Sequence, residues 1–131
     1  MIGLDTNIIV RYLAQDDPAQ TALAVRLMRS LSAEEPGFVS LVVITELIWV
    51  LESCYGFSKL ELVDVLETLL GAKEVILEQA ELVSQAARGF ATGKADFADY
   101  VVERVGHAAG CGHTFTFDLK AAASTGMKLL T

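Results

Sequence analysis

The sequence predicts an α/β fold, with a mostly parallel sheet of four or five short strands flanked by helices in three layers. Two observations predict it. Short apolar runs that read as strands alternate with helix-length segments, and parallel strands need such crossovers between them. The second is composition: 53% hydrophobic and 21% charged residues in 131 support a real core and argue against disorder. That length suits a single domain over residues 1–131.

Each element follows in order. Ile2 to Leu4 is a strand at the start, and Thr6 to Ala14 a helix. Asp17-Pro18 opens a second helix running to about Leu31, with proline at the first helical position. Gly37 to Val39 is a strand. Leu41 to Cys54 is an apolar helix. Ser58 caps an amphipathic helix that runs to Leu70 and ends at Gly71. Val75 to Leu77 is a strand; Glu78 to Thr92 and Asp96 to Ala109 are helices. Thr114 to Phe117 is a strand, Leu119 to Ser124 a helical turn, and Met127 to Leu130 a last strand. No repeat or low-complexity tract interrupts the series.

Several classes are disfavoured. The longest uncharged-looking stretch, Phe38 to Leu51, has 14 residues and contains Glu46, short of the roughly 18–20 apolar residues a membrane span needs. The first residues, Met-Ile-Gly-Leu-Asp, lack the basic region of a secretory signal. Cys54 and Cys111 show no CxxC or zinc spacing, so a reducing cytoplasm with both thiols buried is expected. His107, Cys111 and His113 match no familiar zinc pattern, and no GxSxG elbow supports a serine hydrolase. A net charge of −7 argues against broad, charge-driven nucleic-acid binding. That argument weakens where acids gather around a cation, because the ion inverts the local charge.

The acids carry the chemistry. Asp5 follows the first strand and Asp118 the fourth, and ligands in parallel α/β sheets gather at the carboxyl ends of strands. Period-two alternation puts Thr114, Thr116 and Asp118 on one side of the strand and Phe115 and Phe117 on the other. Asp5 and Asp118 also read as helix N-caps, and both readings stand. Glu46 is the only charge between Phe38 and Leu51. On a helix apolar all round it would be buried, at a cost of several kcal/mol unless paired or cation-bound. The alternatives are a thin solvent stripe with Thr45, or an ion pair with Arg11. Asp96 and Asp99 share a helix face three residues apart, extended by Glu103; there too a capping arrangement competes. No glycine-rich phosphate loop accompanies these acids. Carboxylates alone select hard cations, Mg²⁺ or Mn²⁺, and an all-carboxylate metal site is suited to phosphodiester hydrolysis. Setting Asp5, Glu46, Asp96, Asp99 and Asp118 aside leaves a net charge of −2, so the remaining surface need not repel nucleic acid strongly.

Four segments stand out: Leu4-Asp5-Thr6-Asn7, Thr45-Glu46, Ala95-Asp96-Phe97-Ala98-Asp99-Tyr100 and Thr116-Phe117-Asp118. Together they resemble a PIN domain, and within that group the chain is similar to VapC-type toxins of type II toxin–antitoxin pairs. The resemblance implies a PIN-like fold and a metal-dependent endoribonuclease that hydrolyses RNA by metal-activated water. It implies Asp5, Glu46, Asp99 and Asp118 as the acidic quartet, with Asp96 as a companion metal ligand. Thr6 and Asn7 would shape the loop after the first strand, and Thr116 would support the site by hydrogen bonding. It further implies a homodimer and a small VapB-type antitoxin that blocks the groove. Where the third motif commonly continues Leu-Ile-Ala-Ala, this chain has Tyr100-Val101-Val102-Glu103-Arg104.

Arg11, Lys94, Arg104 and Lys120 are the candidate RNA-facing bases, each lying near a motif acid in sequence. Trp49, Tyr55 and Phe57 read as core or dimer surface rather than a base-stacking platform. The apolar excess of Leu41 to Leu51 favours an interface there. The alternative function is a non-catalytic binding module on the same fold, with the acids serving as caps or meeting a partner's arginines.

Overall fold

The computed structural model describes all residues, 1–131. Seven helices and five strands alternate along the chain, and every strand pairing is parallel. The backbone groups into two units, Met1–Ala80 and Glu81–Thr131.

The N-terminal unit holds β1 (Ile2–Gly3), α1 (Thr6–Ala14), α2 (Pro18–Ser30), β2 (Gly37–Val39), α3 (Leu41–Tyr55), α4 (Lys59–Gly71) and β3 (Val75–Leu77). Its sheet runs β1-β2-β3, with Ile2 opposite Gly37 and Gly37 opposite Val75. The helix starts follow capping chemistry. Asp17 accepts the Gln20 N–H at 3.0 Å ahead of Pro18. Ser40 accepts the Val43 N–H at 3.1 Å, and Ser58 with Glu61 forms a reciprocal capping box. α3 stops at Gly56, whose φ of 68° is left-handed; its N–H and that of Phe57 return to the Glu52 and Leu51 carbonyls. Gly71 is the last residue of α4, but the turn away is made by Ala72 in extended conformation. Val39, Ile44, Leu47, Leu51, Leu62 and Leu66 are fully buried and form the centre of this unit's core. Burying each such side chain contributes about 1.5–3 kcal/mol.

The C-terminal unit holds α5 (Ala80–Thr92, beginning at the boundary), α6 (Phe97–Ala108), β4 (Phe115–Thr116), α7 (Leu119–Thr125) and β5 (Lys128–Leu129). β4 and β5 pair as a separate two-stranded sheet. Leu82, Val83, Ala86, Phe90, Phe97, Tyr100 and Val101 are buried. Phe90 meets Phe97 edge-on, with ring centroids 5.9 Å apart. Gly89 allows Tyr100 to lie flush, since a Cβ there would sit 2.7 Å from its ring.

Three expectations need correction. The five strands form ladders of three and two, not one sheet, because β1 bonds only to β2 and β4 only to β5. α3 is not buried all round: Val42 is 75% and Trp49 61% exposed, so Trp49 is not core. They lie on a solvent stripe with Glu46, at helical spacings of four and three. Finally, both cysteines are exposed. Cys54 falls near the open end of α3 and Cys111 in the turn after α6.

Candidate active site

Asp5 sits between β1 and α1, where the backbone leaves the sheet in extended conformation. It is exposed, and its Oδ1 accepts the Thr6 N–H at 2.8 Å. Thr6 is 6% exposed, the one buried polar residue of the chain. Its hydroxyl donates to Glu46 Oε1 across 40 positions of sequence. Thr6 therefore links the two acids: its N–H binds one and its O–H the other. Glu46 is exposed on α3, contrary to the expectation that it is buried. Nor does it pair with Arg11, which turns to Asp16 instead.

Asp5, Thr6, Asn7, Arg11 and Glu46 line one cleft of about 530 Å³, with Val10, Val50, Cys54 and Tyr55. The sequence reading missed Tyr55 and Cys54 here. The signal was present: Glu46, Val50 and Cys54 are spaced by four and so share one face of α3.

The C-terminal unit gathers the other acids. Asp96 precedes α6, and its N–H donates to Asp99 Oδ2 at 3.1 Å, while the Asp99 N–H returns to the Asp96 carbonyl at 3.0 Å. Asp118 caps α7, accepting the Ala121 N–H at 3.0 Å, and its own N–H donates to Thr116 Oγ1 at 3.0 Å. Both readings of Asp118, cap and exposed acid, are thus compatible. Burial pushes the Asp99 carboxyl above its ordinary value. The negative charges of Asp96 and Asp118 push the same way, against the lowering effect of its backbone hydrogen bond. Asp96 and Asp118 are exposed; Asp99 is half-buried.

Of the basic candidates, Arg104 is engaged by its neighbour Glu103 at 2.6 and 2.7 Å. Lys94 and Lys120 are exposed. Glu103, Arg104 and Tyr100 belong to a smaller cavity of about 260 Å³ with Arg88 and Ser124.

The donor chemistry fits a hard divalent cation. All candidate ligands are oxygens, and Asp99 carries a repulsion that a cation would relieve. No group of three or more His, Cys, Asp or Glu is arranged to hold a metal ion in the structure. The structure brings Asp5 and Glu46 together in one cleft, and it sets Asp99 within electrostatic reach of Asp96 and Asp118.

The PIN domain family matches residues 2–124, nearly the whole chain and both units. The chain belongs to the PIN domain family. PIN domains are typically nucleases that use divalent metal ions. No curated protein and no solved structure matches the chain. No helix is long and apolar enough to cross a membrane.

Proposed function

We propose that the chain is a single-domain, Mg²⁺- or Mn²⁺-dependent endoribonuclease of the VapC toxin type, held inactive in the cytoplasm by a small VapB-type antitoxin. The observation that carries the reading is the Thr6 link between Asp5 and Glu46 in a cleft of a PIN-family chain. A capping Asp has no need of a second carboxylate brought to the same threonine from position 46.

Asp5, Glu46 and Asp99 would hold the metal, joined by Asp96. Asp118 would hold it too or orient the attacking water. The bound cation would supply Lewis-acid activation of the water and the phosphoryl oxygen. Thr6 keeps Glu46 in place, and Asn7, beside it in the first turn of α1, lines the same cleft. Thr116 fixes the backbone that carries Asp118. Arg11, Lys94, Arg104 and Lys120 are the bases proposed to meet RNA phosphates. A homodimer through α3 would cover Val42 and Trp49, which are otherwise exposed.

The test is cleavage of total RNA by antitoxin-free protein. Discrete fragments with 5′-phosphate ends are expected with Mg²⁺ or Mn²⁺ and not with EDTA. Folded wild-type protein that leaves every RNA intact, and whose melting temperature neither metal raises, would return the chain to the binding-module alternative.

A further inference from the structure

Arg11 is held from three sides within the N-terminal unit. Its Nε donates to Gln20 Oε1 at 2.7 Å, and its Nη1 to Tyr55 Oη at 3.1 Å and Asp16 Oδ1 at 3.4 Å. Tyr55 Oη in turn donates to Asp16 Oδ2 at 2.8 Å, closing a triangle. The Tyr55 hydrogen bond holds the Asp16 carboxyl below its ordinary value, so its charge persists.

A guanidinium carries five N–H donors. These bonds occupy Nε and Nη1 and leave both hydrogens of Nη2 without a protein acceptor. Arg11 and Tyr55 line the cleft that holds Asp5 and Glu46. A flexible arginine loses much rotamer freedom when it is fixed this way. A long, partly exposed ion pair returns little stability for that loss. What the arrangement does produce is a pre-oriented cation beside two carboxylates that would otherwise repel a polyanion.

We propose that Arg11 is the phosphate anchor of this cleft, and that Asp16 and Tyr55 are positioning residues that present its Nη2 to a backbone phosphate of single-stranded RNA. The inference rests on the ribonuclease reading and deepens it.

The test is binding of a labelled single-stranded RNA oligonucleotide of mixed sequence, with Mg²⁺, over a salt titration. The proteins carry Asp99→Asn to prevent cleavage. Arg11→Gln is expected to weaken binding about tenfold. It should also lower the slope of log Kd against log salt by about 0.7, one phosphate's share on a single strand. Tyr55→Phe and Asp16→Asn keep the Arg11 cation but loosen its aim, so they should weaken binding a few-fold at unchanged slope; for Asp16→Asn that loss runs against the affinity gained by removing a carboxylate. In the cleaving background they should raise KM more than they lower kcat. A merely structural role would move melting temperatures and leave the salt slope of Arg11→Gln at the wild-type value.

Wild-type affinity and slope in folded Arg11→Gln overturn the proposal. Should that variant fail to fold, Arg11→Lys carries the test: weaker binding at unchanged slope supports the proposal, and wild-type affinity overturns it. Wild-type protein that cleaves RNA while Arg11→Gln binds normally rejects the anchor alone. Wild-type protein that neither binds nor cleaves RNA rejects the ribonuclease reading and the anchor with it.

Discussion

In the N-terminal unit, Asp5 and Glu46 are exposed and organised by hydrogen bonds from one buried threonine. In the C-terminal unit, Asp99 is half-buried and its ionisation is opposed by burial, by Asp96 and by Asp118. The first pair is positioned by donors; in the second group burial, and after it crowding by like charge, opposes ionisation. Carboxylates of one chain are thus prepared for a cation in two ways. Donors fix geometry at little electrostatic cost, whereas crowding raises the gain from binding a positive ion.

The largest expected effect lies on the crowded side. Asp99→Asn should lower RNA cleavage at least about 100-fold, from the several kcal/mol of charge stabilisation that a metal centre supplies. In metal-free buffer its melting temperature should equal or exceed that of wild type, because the substitution removes a charge that burial and two neighbours disfavour. Full activity in that variant would sink the role assigned to Asp99, and a large thermal loss would sink the crowding argument.

The donor-organised side should respond through geometry. Thr6→Val removes the hydroxyl that holds Glu46 and should lower kcat/KM about 10- to 100-fold, as loss of an outer-shell partner does at metal sites. Thr6→Ser should restore most of the rate, since it returns the hydroxyl. Equal damage from both variants in a kinetic assay would mean that packing, not the hydrogen bond, matters at this position.

Asp118 separates structural from chemical roles. Asp118→Ala loses the α7 cap and should cost about 1 kcal/mol in chemical denaturation. Asp118→Asn keeps an acceptor for the Ala121 N–H and should stay near wild-type stability. Both should be poor nucleases. An active Asp118→Asn protein would leave the residue as a cap only.

The smallest effect concerns pH. Glu103 lies one turn beyond Asp99 on α6, and the Arg104 hydrogen bond holds its carboxyl below the ordinary value. Its contribution is therefore present above the unfolded value of 4.5 and is lost as pH falls through the lower folded one. Asp99 has the opposite sign: its raised value makes stability fall as pH rises from 3.8 through the folded value. Denaturation of metal-free protein across acidic pH should show Glu103→Gln losing up to about 1 kcal/mol near neutrality and converging on wild type in acid. A pH-independent difference would remove the ion-pair explanation.

Much of this was legible in the sequence. Gly37–Val39 and Val75–Leu77 are strands with the expected bounds, and Ser58, Asp17 and Asp118 cap the helices they precede. These features depend on neighbours in the chain, so local pattern reveals them. The apolar run around Glu46 points to burial, yet its face of α3 with Val42 and Trp49 is open. Composition reports how apolar a helix is, not which side finds a partner. Asp16 and Tyr55, 39 positions apart, meet only after α1 and α3 pack, and no spacing rule joins them.

Local pattern along the chain sets the alternation of strands and helices, the parallel pairing they require, and which acids stand at strand ends and helix starts. Steric and hydrogen-bonding preferences over a few residues suffice for that. It takes the folded chain to make Thr6 serve both Asp5 and Glu46, to set burial and two carboxylates against the charge on Asp99, and to turn Arg11 to Asp16 and Tyr55 rather than to Glu46. Those outcomes depend on solvent access and on distances between segments remote in the chain, and packing sets both.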